Sequence, residues 1–180
     1  MIYVMLADGF EEIEALAFVD ILRRADIAVK TVSTDNSDTV IGAHRISIVP
    51  DIKISDINEI GDGIILPGGL PGTYNLRDNK NVIKLIKEHY NSRKIVGAIC
   101  AAPSVIGGLG LLKNKKATCY PSFENYLIEA VYTEEKVVVD DNVITSRGAG
   151  TAHDFALKLV EIIKGKEIAD KLRSSMLYDW

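Results

Sequence analysis

The sequence predicts an α/β fold, a three-layer sandwich in which a mostly parallel sheet lies between two layers of helices. Two observations carry the prediction. Short β-branched apolar runs alternate with longer segments of helical periodicity along the whole chain, and runs that are apolar at nearly every position mark strands covered on both faces. Right-handed crossovers then narrow the topology. With 180 residues, 47% of them hydrophobic, the chain suits one domain over residues 1–180.

The elements follow in order. IYVMLA gives a first strand, and the spacing of apolar residues from about Glu11 to Ala25 gives a helix. IAVKTVST is a second strand, closed by the polar turn DNSD, and RISIVP reads as a third. GIILPGG, the amphipathic helix NKNVIKLIKEHYNS and the strand KIVGAIC come next, followed by a helix ending in the glycines of GGLG. ATCYP supplies another strand, VYTEEKVVVDDNVITS reads as a β-hairpin region, and TAHDFALKLVEIIKGK closes with a helix stopped at Gly165.

Composition removes several classes of function. The net charge is −4 and the charges are interspersed, which gives no electrostatic footprint for nucleic acid. The N-terminal MIYVMLADGFEEIEA lacks a basic start and a long apolar core, so no export signal is expected, and no apolar run reaches the ~20 residues of a membrane span. A cytoplasmic location is expected. The two cysteines, Cys100 and Cys119, are expected to be free thiols. The histidines show no metal-ligand spacing with one another or with the cysteines, so no metal site is expected.

In a sheet of this kind the ligand crevice lies beyond the carboxyl ends of the strands. Four loops gather there: ADGFEE, PGGLPG, CAAP and SRGAGT. Ala98-Ile99-Cys100-Ala101-Ala102 has the pattern of a nucleophile elbow, with cysteine in the place of serine and alanines in the place of the flanking glycines. Free cysteine also fills small core spaces, and that reading stands beside the chemical one. If a helix begins just behind the elbow, with Pro103 in its first turn, its N-terminus lowers the thiol from about 8.5 toward the range of roughly 3.5 to 7.5, leaving Cys100 ionised at neutral pH. The backbone N–H groups of Gly69 and Ala101 are candidates for an oxyanion hole, with Gly68 beside them.

Glu14 heads an apolar stripe of Ala17, Phe18, Ile21 and Ala25, so its carboxyl group is expected to be buried and raised in pKa, able to donate a hydrogen bond to a thiolate. A capping role or a salt bridge with Arg24 is the alternative. Glu11 and Glu12 fall elsewhere on the helical wheel and read as solvated first-turn acids. His89 is expected on the wet face of its helix, and Cys119 inside a strand as a structural residue.

DGFEEIEALAFVDILRRADI, IILPGG, AICAAPSVI, KATCYPSFE and VITSRGAGTAHDFALKLVEII, in that order and spacing, resemble the ThiJ/PfpI family, close to its DJ-one branch, over essentially the whole chain. The resemblance implies a flavodoxin-like sandwich, usually a homodimer, with an oxidation-prone cysteine at Cys100 and a protonated glutamate at Glu14 touching its sulfur. Gly69 and Ala101 take the backbone-donor positions, and Arg24 and His44 match positions where relatives hold polar or basic groups near the pocket or the dimer contact. The implied activities are cofactor-free handling of small reactive aldehydes of the glyoxalase or deglycase type, redox sensing or chaperoning through the cysteine, and intracellular proteolysis. Tyr120 stands where some members carry a histidine, so a protease-type triad lacks its base there, and the phenol, near ~10 when unperturbed, replaces it poorly.

Overall fold

The computed structural model describes residues 1–178. β1 (Ile2–Leu6), α1 (Glu12–Arg24) and β2 (Val29–Ser33) form as the apolar pattern requires. RISIVP does not make an inner strand. β3 (Val40–Ile41) and β4 (Ser47–Ile48) pair antiparallel as a separate small hairpin, and only β5 (Ile52–Lys53) returns to the main sheet, at its edge. Residues 44–48 are largely exposed, so this stretch lacks the two covered faces of an inner strand.

β6 (Gly63–Leu66), α2 (Gly72–Asp78), α3 (Lys80–Asn91), β7 (Ile95–Ile99) and α4 (Pro103–Gly108) follow. The ATCYP region contributes only β8 (Lys116–Ala117), which pairs in parallel with β9 (Val131–Tyr132) outside the main sheet. Cys119 therefore lies beyond the strand, though fully buried as expected of a structural residue. The hairpin proper is β10 (Val137–Asp140) with β11 (Val143–Ser146), and α5 (Ala152–Lys164) ends at Gly165, whose φ of +93° closes it. A further helix, α6 (Lys166–Ser175), packs back against α5. The sequence pattern indicated neither α2 nor α6.

The main sheet runs β10-β11-β7-β6-β1-β2-β5, parallel except for β10. The chain leaves β1 toward β2 and later returns to pair β6 on its other side, so the strand order reverses at β1, and crevices form at such a switch point. β1 serves both cores. Ile2, Val4 and Leu6 join the cluster under α1, α5 and α6, while Tyr3, Met5 and Ala7 join the one under α3 and α4. Phe18 of α1 meets Phe155 of α5 with ring centroids 5.3 Å apart. Among the described residues no helix is long and apolar enough to cross a membrane.

His89 departs from expectation: it is fully buried rather than on the wet face. Its Nδ1–H donates to the Leu85 carbonyl at 2.8 Å, its Nε2 has no partner, and its ring stands edge-on to Tyr3 at 6.3 Å. Burial holds the imidazole below its ordinary value. The unfolded chain therefore takes up this proton at a higher pH than the native protein, so the stabilising contribution is complete above about 6.5 and is lost as pH falls from there toward the native value. Replacing His89 with Phe is expected to flatten the loss of thermal stability between pH about 7 and 5; equal slopes for the two proteins in melts across that range would show that His89 carries none of the acid lability.

Candidate active site

The site forms where β1, β6, β7 and β11 end. Cys100 directly follows β7 with φ of +65°, a left-handed conformation uncommon for a residue with a side chain and characteristic of a nucleophile elbow. Its backbone is held from two sides: the N–H donates to the Ser146 carbonyl at 3.0 Å, and the carbonyl accepts the Tyr120 N–H at 2.8 Å. Conformations of this kind cost of order 1–3 kcal/mol and persist where surrounding bonds over-determine them.

Glu14, in the first turn of α1, is 1% exposed. Its Oε2 accepts the Gly68 N–H at 2.8 Å, and Oε1 is buried without an oxygen or nitrogen partner. A methyl group at Gly68 would stand 2.6 Å from Cys100 Cβ and 2.7 Å from Glu14 Oε2, so the absence of a side chain there lets carboxyl and thiol approach. Gly69, at φ of +87°, turns its N–H toward the sulfur, and a side chain would drive into the Glu11 nitrogen. The backbone N–H of Ala101 supplies a second donor to the sulfur.

Burial pushes the Glu14 carboxyl up to about 7, against the opposing pull of the Gly68 N–H and the thiol and with a further push from the charge on Glu11. The thiol itself corrects an expectation. Burial, then the charge and hydrogen bond of Glu14, raise Cys100 above its ordinary value, while the Ala101 and Gly69 N–H groups pull it down. α4 begins only at Pro103 and is six residues long, so it gives the sulfur little of the dipole that the sequence reading invoked. Two of the three raising causes vanish when Glu14 is protonated and becomes the donor. The protonation state of each group therefore depends on that of the other.

Of the accessory candidates, Tyr120 is in the site. A methyl group at Gly148 would lie 3.2 Å from its ring and 3.9 Å from Cys100 Sγ, so the ring and the sulfur flank one point beyond β11. His44 reaches the start of α1. Glu12, read from the sequence as solvated, is 4% exposed and accepts from the His44 backbone N–H at 2.8 Å and from His44 Nδ1 at 2.9 Å. Glu11 is also half-buried, and its N–H donates to the Gly68 carbonyl at 2.9 Å. Arg24 is not in the site: it sits at the far end of α1, about 15 Å along the axis from Glu14, exposed and paired with Asp20 at 2.6 Å. The salt bridge it offered Glu14 does not form.

Both cysteines are free thiols. Glu11, Glu12 and His44 place one carboxylate or imidazole atom each within 4.8 Å of the others. His44 holds the grouping together, hydrogen-bonded to Glu12 at 2.9 Å and 3.6 Å from Glu11 Oε2. Glu12 is the functional neighbour that periodicity could not find, because its partner lies 32 residues away in the chain.

Comparison with known proteins bears on the family and the fold. A model of the DJ-1/PfpI family matches residues 1–162. Protein DJ-1 homolog B of Arabidopsis thaliana is 38% identical over 98% of this chain, which spans only 41% of that relative's length. Glutathione-independent glyoxalase DJR-1.2 of Caenorhabditis elegans is 36% identical over 90% of this chain and 87% of its own. The solved structure of oxidized Toxoplasma gondii DJ-1 superposes with a TM-score of 0.95 at 36% identity, covering 99% of this chain and 98% of that one. A family model that matches residues 1–162, with relatives above 30% identity along nearly the whole chain, makes this chain a member of the DJ-1/PfpI family.

Proposed function

We propose that the chain converts small 2-oxoaldehydes to 2-hydroxy acids through Cys100, without a cofactor. The observation that carries the reading is the fully buried Glu14 carboxyl set against Cys100 across Gly68, at an elbow with left-handed backbone. The thiolate, formed while Glu14 holds the proton, adds to the aldehyde carbon and gives a hemithioacetal whose oxyanion faces the two backbone donors. Glu14 first gives its proton to that oxyanion. The freed carboxylate then takes the proton from the same carbon and delivers it to the neighbouring carbonyl carbon while the hydroxyl proton passes to that neighbour's oxygen, leaving a thioester of the 2-hydroxy acid. Water then cleaves the thioester and restores the thiol. The aldehyde carbon is oxidised as its neighbour is reduced, so electrons balance within the substrate. The relative named as a glutathione-independent glyoxalase supports this reading.

Oxidation of the same sulfur is the second reading, supported by the relative whose solved structure is of an oxidized form. A thiol beside a carboxylic acid is also a target for peroxide, and the acid and the N–H groups would hold the resulting sulfinate. Proteolysis has no base at Tyr120.

A homodimer belongs to the same proposal. Ile13, Ile41 and Ile46 are 54%, 47% and 50% exposed around the contact between α1 and the β3–β4 hairpin, and a second copy would cover them.

Purified protein is expected to consume methylglyoxal without glutathione. Cys100→Ser should fall to background and Glu14→Gln by about 10²-fold or more; undiminished turnover in either rules out the aldehyde reading. Selective gain of two oxygens on Cys100 after mild peroxide, with dicarbonyl turnover at background, would establish the sensor instead. Below about 7 both members of the pair keep their protons and no thiolate exists, so kcat/KM is expected to rise with pH through that value; a flat profile from pH about 5 to 9 contradicts proton sharing. Replacing Ile13 and Ile46 together with Arg is expected to halve the mass seen by sedimentation, and an unchanged mass rejects this face as the dimer contact.

A further inference from the structure

The β3–β4 hairpin is tied to the active helix by one buried carboxylate. Glu12 Oε1 accepts the backbone N–H groups of His44 at 2.8 Å and Ile46 at 3.4 Å, and Oε2 faces His44 Nδ1 at 2.9 Å. The cradle is closed by Gly42, where a methyl group would lie 2.2 Å from that same Oε1. The His44 imidazole also lies 3.6 Å from Glu11 Oε2, so it sits between a buried and a half-buried carboxylate. Glu11 is in turn part of the active-site wall: its N–H binds the Gly68 carbonyl, while the Gly68 N–H binds Glu14.

We infer that His44 is a positioning residue for the proton shared by Glu14 and Cys100, acting through Glu11, and that loss of its own proton moves negative charge from the carboxylate to the sulfur. This rests on the shared-proton reading of the pair. A charged His44 offsets Glu11, which relieves repulsion on the nearby Glu14 and favours its carboxylate. A neutral His44 uncovers the Glu11 charge, so Glu14 keeps the proton and the sulfur carries the charge. The groups on this path are few. Glu11 and Glu12 act on His44 and hold its imidazole above its ordinary value, and Glu11 alone of the charged side chains adds to the effect of burial in raising Glu14. From the hairpin itself, exposed Arg45 follows His44, and Asp8 accepts the Ile41 N–H at 2.8 Å. The strand patterns could not reveal the device, because the imidazole and the sulfur belong to distant segments joined only through the head of α1.

The test reads the charge on the sulfur rather than turnover, so a protein inert toward dicarbonyls still decides it. Iodoacetamide alkylation of Cys100 is followed by intact mass against pH in the full chain, in His44→Asn and in His44→Arg, with buried Cys119 as an internal control. Above pH about 7, where the pair carries one charge, the Asn variant is expected to alkylate about two- to fivefold faster than the Arg variant. The wild-type rate should climb from the Arg value toward the Asn value as pH rises to about 9. Adding Glu11→Gln to each variant should erase the difference between them. Equal rates for Asn and Arg overturn the proposal, and a difference that survives Glu11→Gln overturns the route through Glu11. Matching melting temperatures of Asn and Arg exclude unfolding as the source of any difference, and if the Asn variant does not fold, His44→Gln replaces it.

Discussion

The burial of one carboxyl group at the head of α1 is the constraint on which the rest of the site depends. Glu14 leads a stripe that packs Phe18 and Ile21 into the core, so its side chain cannot leave for water without lifting the helix. Its acceptor is met by the Gly68 N–H, which fixes the loop after β6 against α1. Once that loop is placed, Gly69 and the elbow at Cys100 fall to either side of it. A buried acid that is both satisfied at one oxygen and open at the other is an unstable balance in an apolar setting.

The charge state of that acid also decides what the neighbouring sulfur can carry. Ionised Glu14 repels charge on the sulfur, and protonated Glu14 supports it. The elbow adds geometry rather than charge. Its left-handed backbone turns the side chain out of the strand, and the bonds to Ser146 and Tyr120 hold it there. Tyr120 stands as an aromatic wall on the side of the sulfur that Gly148 leaves open.

Much of the fold was legible because it depends on local pattern. The inner strands IYVML, GIIL and IVGAI are apolar on both faces, and α1, α3 and α5 carry clear stripes. Cys100, Glu14 and the paired glycines could be read because each is a local exception: a thiol at a strand end, an acid on an apolar stripe, two residues without side chains. Glu12 and His89 were misread for a common reason. Each looks polar in its own helix and is buried by a segment far away in the chain, the hairpin at His44 for one and β1 at Tyr3 for the other. α6 escaped because a glycine that ends one helix also begins the next, and its stripe is short. The thiol's electrostatics departed from the motif because the burial of the sulfur and the charge of Glu14 beside it come from tertiary packing, with only a six-residue helix behind the elbow.

The central strand has no spare side. Ile2, Val4 and Leu6 fill one layer and Tyr3, Met5 and Ala7 the other, and the strand feeds directly into the loop that carries the head of α1. A single inserted or deleted residue in β1 would exchange both sets at once and rotate the following loop by half a pleat. Natural variation in length should therefore be confined to the outer turns, such as the β3–β4 hairpin and the β10–β11 connection, while the span from Ile2 to Glu14 keeps a constant count. The chemistry is thus metered by the number of residues between the middle of the sheet and the first turn of one helix.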